Sequence, residues 1–130
     1  MTPAAARQLW QRASAVCFDV DSTVVTEEGI DVLAAHCGAG EAVAELTRQA
    51  MGGSVPFHEA LAQRLALIRP TRAKLDECIA AHPLELTPGM HRLARRLEDK
   101  GKHVYLVSGG FRQMIAPAAN VFLHVQENAG

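Results

Sequence analysis

The sequence has little excess charge of either sign and no long apolar run. Lysine and arginine number 13 against 14 aspartates and glutamates, which gives a formal net charge of −1 at pH 7. This balance argues against a nucleic acid or a membrane surface as the partner. No stretch is long and apolar enough to span a bilayer, and residues 1–4 lack the basic start of a secretory signal. We therefore expect no nucleic-acid or membrane partner and a cytoplasmic location.

Cysteine and aromatic residues are also scarce. The three cysteines, Cys17, Cys37 and Cys78, lie far apart and lack the spacing of a zinc site. Each falls on an apolar pattern, so we expect buried free thiols, which suit a reducing compartment. The six histidines show no ligand spacing either, and we interpret them as surface or packing residues.

What remains is an aliphatic sequence that fits one globular domain or part of one. Apolar residues make up 48% of the 130 positions, which is enough to form a core. Two short apolar runs, Ala15–Val20 and His103–Val107, predict strands. Elsewhere apolar residues recur at helical spacing. This spacing predicts helices around residues 4–11, 30–37, 43–50, 57–68, 75–79, 90–97 and 111–116.

The order of these elements predicts an α/β fold with an insertion. Two strands joined through helices form a parallel pair, and the crossover here is far longer than one helix. We therefore expect a partial Rossmann-like core from residues 1–25 and 87–130, and a helical cap from residues 26–86. Residues 120–125 are a candidate third strand, following a helix that Pro117 ends.

Helix-start signals accompany two of the predicted helices. Thr71 can cap the helix around residues 75–79. Thr87 can cap the next helix, with Pro88 at its first position. The buried stripe of that helix would consist of Met90, Leu93, Ala94 and Leu97.

Two carboxylates end the first predicted strand. Asp19 and Asp21 alternate with Val20, so a regular strand would point them to opposite faces, but a turn lets both approach one site. This arrangement suits phosphoryl transfer, in which one carboxylate attacks phosphorus and the other protonates the leaving alkoxide and activates water. Mg²⁺ would offset the repulsion between carboxylate and phosphate. The alternative is an acidic cap, in which Asp21 or Ser22 only ends the strand.

A second motif follows the second predicted strand. Ser108-Gly109-Gly110 offers a hydroxyl and bare backbone N–H groups at the start of a helix, which is a phosphate cradle. The alternative is an ordinary turn in which glycine supplies a positive φ. Both motifs fall at the carboxyl ends of strands that should be neighbours, where open α/β sheets bind ligands.

The two motifs together resemble those of the haloacid dehalogenase-like phosphatases. Residues 19–23, Asp-Val-Asp-Ser-Thr, match the first motif of that family, D-x-D-x-T, and residues 106–110 match the second. The resemblance implies a haloacid dehalogenase-like α/β fold and a Mg²⁺ cofactor. It also implies that Asp19 is the nucleophile and a metal ligand, and that Asp21 is the general acid/base with its carbonyl on the metal. The residues expected to hold the phosphate are Ser108 and Gly109, with Gly110 and Val20 also among the substrate-binding residues.

Further segments resemble the phosphoserine phosphatases of that family, namely residues 27–31, 50–57, 64–68, 86–89 and 108–112. The similarity covers about residues 14–116. It implies Mg²⁺-dependent hydrolysis of O-phospho-L-serine to L-serine and phosphate, the last step of L-serine biosynthesis. By this resemblance Glu28 would receive the substrate ammonium and Arg64 would clamp the substrate carboxylate. The serine pocket would be lined by Met51, Gly52 and Phe57.

Each of these cap residues also has a structural interpretation. Arg64 follows Phe57 by seven residues on an apolar helix face, where a guanidinium needs a partner such as a carboxylate. That partner could be the substrate or, in a structural ion pair, Glu28. A glutamate in the first turn of a helix is favoured by the helix dipole whatever its function. Met51 alone would be a core residue, and Gly52-Gly53 a helix stop.

Two further motifs of the family have no counterpart in these 130 residues. They are a lysine that holds the nucleophile and phosphate, and a G-D-x-x-x-D loop that completes the magnesium site. Because removing one electrostatic contributor costs roughly 3–4 kcal/mol, we expect little or no catalysis from this chain alone. The alternatives are a non-catalytic product that binds a full-length homologue through its sheet edge and a chain that does not fold independently. The resemblance also implies a homodimer as a candidate assembly.

Overall fold

The chain folds as helices around a small parallel sheet. The computed structural model describes residues 1–51, 53 and 55–123, with the backbone alone at residues 50 and 51. The α/β class predicted from the sequence is confirmed. In chain order the described elements are α1 (Pro3–Arg12), β1 (Ala15–Asp19), α2 (Gly29–His36), α3 (Gly40–Met51), α4 (Phe57–Ile68), α5 (Arg72–Ala81), α6 (Met90–Asp99), β2 (His103–Val107) and α7 (Arg112–Leu123).

The two strands pair in parallel with a simple register. Ala15 lies beside His103 at one end and Asp19 beside Val107 at the other. Because parallel strands run in the same direction, their carboxyl ends share one edge of the sheet. Asp19 at the end of β1, Asp21 just beyond it and the glycines after β2 therefore lie close together, as the two sequence motifs predicted.

One face of the sheet packs on α6 and α7. Phe18 and Leu106 contact a buried cluster formed by Val24, Ala94 and Phe122. The rings of Phe18 and Phe122 meet edge to face, with centroids 5.4 Å apart, a favourable arrangement for aromatic pairs.

A larger cluster joins the core to the inserted helices. It includes Val20 and Met114 from the core and Leu33, Val43 and Ile68 from the insertion. Burial of these side chains therefore fixes α2–α4 against the end of the sheet.

The chain enters and leaves the insertion through one short antiparallel crossing. Val25 and Leu86 form an isolated bridge. Thr26 N donates to Glu85 O at 3.0 Å, and Thr87 N donates to Val24 O at 2.8 Å. The division into a core and a cap at these residues stays a prediction, and this crossing supports it.

The last described helix differs from its prediction. α7 continues through Pro117 to Leu123, so the expected helix end at Pro117 and the strand over residues 120–123 are wrong. Met114, Ala118 and Phe122 form a buried stripe at intervals of four residues. Burial of this stripe outweighs the backbone hydrogen bond that proline cannot donate. Residues 124 and 125 of the predicted strand lie outside the described residues.

One of the two predicted helix caps is confirmed. The Thr71 hydroxyl accepts a hydrogen bond from Lys74 N at 3.1 Å, at the start of α5. At α6 the cap is Gly89, with φ of 87°, so the prediction of Thr87 as cap and Pro88 as first residue is wrong. The Thr87 hydroxyl instead donates to Thr23 O at 2.7 Å, which ties the returning chain to the loop after β1.

The three cysteines are free but differ in exposure. Cys78 is buried, Cys37 is half-buried and Cys17 is exposed, so the expectation of a buried thiol is wrong for Cys17. Cys17 lies on the uncovered face of the sheet beside Tyr105, its partner on β2. Burial raises the pKa of the Cys78 thiol, with a smaller contribution from Cys37.

In the part of the chain that the structure describes, every helix is too short or too polar to cross a bilayer.

Candidate active site

A tight turn after β1 brings the two acids to one side. Residues Val20–Val24 form this turn, which is closed by a hydrogen bond of 3.0 Å from Val25 N to Val20 O. Because the chain leaves strand geometry at Asp19, the alternation that would separate Asp19 from Asp21 no longer applies. Both side chains line the same cavity.

This cavity lies between the sheet edge and the inserted helices. Its volume is about 230 Å³. The core contributes two acids, two glycines and a phenylalanine. The insertion contributes one acid just before α2, one arginine from α4 and apolar groups from both helices. The lining residues are Asp19, Asp21, Glu28, Ile30, Phe57, Leu61, Arg64, Gly109, Gly110 and Phe111.

Backbone amides hold one oxygen of each aspartate. Asp19 Oδ1 accepts from Val20 N at 3.0 Å, and Asp21 Oδ1 accepts from Gly29 N at 2.9 Å. Gly29 is the first residue of α2, so this hydrogen bond ties the Asp21 side chain to the start of that helix. Among the described residues the Oδ2 atom of each aspartate has no hydrogen-bond donor, which leaves it available to a ligand.

The turn after β2 packs tightly against Asp21. Ser108 Oγ accepts from Gly110 N at 3.0 Å. A Cβ atom at Gly110 would lie 3.0 Å from Ile115 Cδ1 and 3.1 Å from Asp21 Oδ2. Gly109 and Gly110 are not among the described glycines with positive φ. Close approach, rather than a left-handed backbone, therefore explains the glycine at position 110.

Phe57 extends from the insertion to the same turn. It is the first residue of α4, and its ring tip lies 3.0 Å from the position of a Cβ atom at Gly109. The side chain is otherwise 63% exposed. The ring thus forms the wall of the cavity that faces the backbone of Gly109.

Glu28 and Arg64 bring opposite charges to the cavity without pairing. Glu28 Oε1 accepts from Ser22 Oγ at 2.8 Å. Neither a hydrogen bond nor an ion pair of Arg64 occurs within the described residues, so the structural pair with Glu28 is not formed there. The half-buried guanidinium is therefore free to bind an anionic ligand.

The family of the chain follows from the extent of its match. The family model of the haloacid dehalogenase-like hydrolases matches residues 13–128. The chain belongs to this family.

Curated relatives of this haloacid dehalogenase-like hydrolase are identical to it at about half of the aligned positions. It is 55% identical over 120 residues to the chloroplastic phosphoserine phosphatase of Arabidopsis thaliana, covering 92% of this chain and 41% of the relative. It is 53% identical over 124 residues to the phosphoserine phosphatase of Bos taurus, covering 89% and 55%. The chain spans about half the length of these relatives.

Solved structures share the fold. A phosphoserine phosphatase with a phospho-aspartyl intermediate analogue superposes with a TM-score of 0.72 at 30% identity, covering 86% of this chain and 53% of that one. The structure of DsGPDH of Dunaliella salina superposes with a TM-score of 0.77 at 39% identity, covering 88% and 20%. The α/β arrangement of this hydrolase therefore also occurs inside longer chains.

The cavity of this haloacid dehalogenase-like hydrolase gathers most, but not all, of the predicted site residues. Ser108 lies beside it rather than in its lining. The Val20 side chain is buried in the core, so it can contribute only backbone to a ligand. Gly52 and the Met51 side chain lie outside the described residues.

Three lining residues were missed in the sequence, namely Ile30, Leu61 and Phe111. A signal existed for Leu61, because it lies four residues after Phe57 and three before Arg64, on one face of a helix. Phe111 directly follows the predicted site residue Gly110, and Ile30 lies two residues after Glu28, in the first turn of α2. Neither carried a separate signal, because only the packing of the fold places them at the cavity.

The lining of the cavity carries more negative than positive side chains. Three carboxylates and one guanidinium line it, so a bound phosphate would meet net negative charge. The oxygen donors of Asp19 and Asp21 fit a hard divalent cation such as Mg²⁺. Among the described residues, no cluster of three or more acids, histidines or cysteines is suited to hold a metal.

Proposed function

We propose that this hydrolase acts on O-phospho-L-serine, releasing L-serine and phosphate in L-serine biosynthesis. One observation supports the proposal: a single cavity is lined by Asp19 and Asp21, by a separate glutamate, and by an arginine that has no ion pair among the described residues. A phosphorylated amino acid presents a phosphate, an ammonium and a carboxylate, which are complementary to these groups. The similarity to proteins named phosphoserine phosphatase supports the same substrate.

We assign the chemistry to the two aspartates. A carboxylate oxygen of Asp19 forms a bond to phosphorus while the bond from phosphorus to the serine oxygen breaks. Asp21 donates a proton to that leaving oxygen. It then removes a proton from a water molecule, whose oxygen attacks phosphorus and displaces the Asp19 carboxylate. The hydrogen bond from Gly29 N to Asp21 Oδ1 fixes the acid/base while Oδ2 exchanges the proton.

The remaining lining groups would orient the substrate. The Glu28 carboxylate would bind the ammonium, and the Arg64 guanidinium would bind the carboxylate with two parallel hydrogen bonds. The backbone after β2, from Ser108 to Gly110, and that of Val20 would hold the phosphate. Phe57 would exclude water from the serine side, together with Met51 and Gly52 of the expected pocket.

We propose that Mg²⁺ is held by the Asp19 carboxylate and the Asp21 backbone carbonyl. When bound, the cation would neutralise part of the charge on the nucleophile and the phosphate. The excess of carboxylates in the cavity supports this requirement.

A binding matrix tests the substrate assignment. Dissociation constants would be measured in Mg²⁺ buffer by titration calorimetry for three ligands: O-phospho-L-serine, O-phosphoethanolamine, which lacks the carboxylate, and the phosphate ester of 3-hydroxypropionate, which lacks the amine. Arg64→Met should weaken binding of O-phospho-L-serine roughly tenfold to a hundredfold but leave O-phosphoethanolamine unchanged. Glu28→Gln should weaken binding of O-phospho-L-serine to a similar extent but leave binding of the amine-free ester unchanged.

Charge-matched variants outside the cavity control for general electrostatics. Arg92→Met and Glu98→Gln remove the same charges from exposed positions on α6 and should leave all three dissociation constants within about twofold. Equal binding of the three ligands to the wild type, or no binding of O-phospho-L-serine, would overturn the assignment.

Association with another chain is a second candidate role. Tyr105 and Val107 expose 53% and 62% of their surface on one face of the sheet, and exposed large apolar side chains that lie together favour burial against another chain. We propose a homodimer or a complex with a full-length homologue. Sedimentation velocity of the wild type and of Val107→Lys tests this: a dimer that dissociates in the variant supports it, and a wild-type monomer that ignores added homologue contradicts it.

We also propose a cytoplasmic location, with no nucleic-acid or membrane partner. The three free thiols support a reducing compartment. Imaging of a tagged chain tests this, and targeting to an organelle would contradict it.

A further inference from the structure

Ser22 has a backbone conformation that its residue type does not favour. Its φ and ψ are 56° and 19°, in the left-handed region. Ser22 and Arg69 are the non-glycine residues with positive φ in the described part of the chain. Left-handed geometry is strained for a residue with a Cβ atom, and glycine adopts it more readily. A serine at this position therefore suggests that its hydroxyl is needed.

The hydroxyl has one specific partner. Ser22 Oγ donates to Glu28 Oε1 at 2.8 Å, across six residues. The Ser22 amide donates to Glu27 O at 3.1 Å, which holds the same two segments together. The left-handed turn thus aims both the hydroxyl and the amide of Ser22 at the start of α2.

Glu28 needs such a contact because little else restrains its side chain. It is exposed, and it occupies the N-cap position of α2 without making a side-chain capping bond. A glutamate side chain has three rotatable bonds and loses considerable entropy when it is ordered. Once Oε1 is held by Ser22, Oε2 remains available in the cavity.

The same turn carries the acid/base. Asp21 precedes Ser22 and accepts from Gly29 N, and Glu28 precedes Gly29. The two hydrogen bonds therefore run in parallel between neighbouring residue pairs, Asp21 with Gly29 and Ser22 with Glu28. This geometry links the position of the specificity carboxylate to that of the catalytic loop.

We propose that Ser22 is a positioning residue that aims the Glu28 carboxylate at the ammonium group of the substrate. The proposal rests on the function proposed above, because it requires that Glu28 bind an ammonium. It adds that discrimination for the amine depends on a hydroxyl in the loop of the nucleophile. Ser22 itself need not touch the substrate.

Three substitutions separate the hydroxyl from the backbone. Ser22→Gly removes the hydroxyl and relieves the left-handed strain, and Ser22→Ala removes the hydroxyl but keeps the strain. Ser22→Thr keeps a hydroxyl, although its branched Cβ is unfavourable at this φ. The first readout is the dissociation constant of the amine-free ester divided by that of O-phospho-L-serine, both measured in Mg²⁺ buffer. The second readout is the thermal stability of each variant, measured separately.

The proposal predicts a ratio set by the hydroxyl alone. The ratio should fall about fivefold to twentyfold in both Ser22→Gly and Ser22→Ala, and stay within about twofold of wild type in Ser22→Thr. Binding of the amine-free ester should not change. Thermal stability should follow a different order, with Ser22→Gly at or above wild type and the other two below it.

The outcomes distinguish this inference from the proposed function. If the wild type does not discriminate between the two ligands, the function of Glu28 is wrong. If the wild type discriminates and Glu28→Gln abolishes the difference, but Ser22→Gly and Ser22→Ala keep it, Ser22 has no positioning role. A loss confined to Ser22→Ala would assign the effect to backbone strain and also overturn the proposal.

Discussion

Gly110 shows how the fold restricts a single residue at the cavity. Gly110 has no unusual φ, yet a side chain there would meet Ile115, Asp21 and Ser108 within 3.0–3.2 Å. The sequence motif indicated a glycine for a turn or a cradle, and it could not reveal this contact. Only the fold brings Asp21, 89 residues earlier, next to Gly110.

The tight packing predicts a cost for one methyl group. Gly110→Ala should lower the free energy of unfolding by about 1–3 kcal/mol because neighbouring groups must shift. Gly53→Ala is the matched control, since a Cβ atom there meets nothing within 4 Å, and it should change stability by less than about 1 kcal/mol. Urea unfolding of both variants measures this, and equal effects would contradict the packing described here.

The thiols predict unequal reactivity. Cys17 is exposed, whereas Cys78 is buried with a raised pKa, so less reactive thiolate forms at Cys78 at neutral pH. Ellman's reagent at pH 7.5, followed by peptide mass spectrometry, should modify Cys17 first and Cys78 only after unfolding. Cys17→Ser should remove the fast phase. Rapid labelling of Cys78 in the folded chain would contradict its burial.

At the level of helices and strands, periodicity predicted most of the structure. The helix at residues 57–68 and the strand at residues 103–107 have the bounds that their apolar patterns indicated. α7 was misjudged because Pro117 is a strong local signal against a helix. The buried stripe around it extends over nine residues, from Met114 to Phe122, and its partners, such as Phe18 on β1, are distant in sequence.

The register of α7 gives a direct test at two adjacent residues. Phe122 is fully buried and Val121 is 54% exposed. Phe122→Ala should therefore destabilise the fold by about 3–5 kcal/mol, and Val121→Ala by about 0.5 kcal/mol or less. Chemical denaturation of the two variants measures the difference. Similar losses in both would show that this segment packs differently.

For the whole molecule, the sequence allowed a prediction of where the site lies, but not of every side chain that lines it. The first predicted strand carries Asp19 near its end and the second is followed by Ser108. A parallel pair of these strands implied a shared edge, and the structure has that edge. The lining formed by Ile30, Leu61 and Phe111 depends on how the insertion packs over it. The expectation of little or no catalysis from these 130 residues stays a prediction, and the single guanidinium among the three carboxylates of the cavity supports it.

Mass spectrometry tests most directly the proposal that O-phospho-L-serine phosphorylates Asp19 in this cavity. The reaction is quenched with acid, and the intact protein and its peptides are then weighed, so fast turnover is not required. A detectable fraction of the wild type incubated with O-phospho-L-serine and Mg²⁺ should gain one phosphoryl group on the peptide that contains Asp19, since even little catalysis forms some phosphoenzyme. Asp19→Asn should gain none, whereas Asp31→Asn, an exposed acid outside the cavity lining, should behave as wild type. An unmodified wild type, or a phosphoryl group on another residue, would contradict the account.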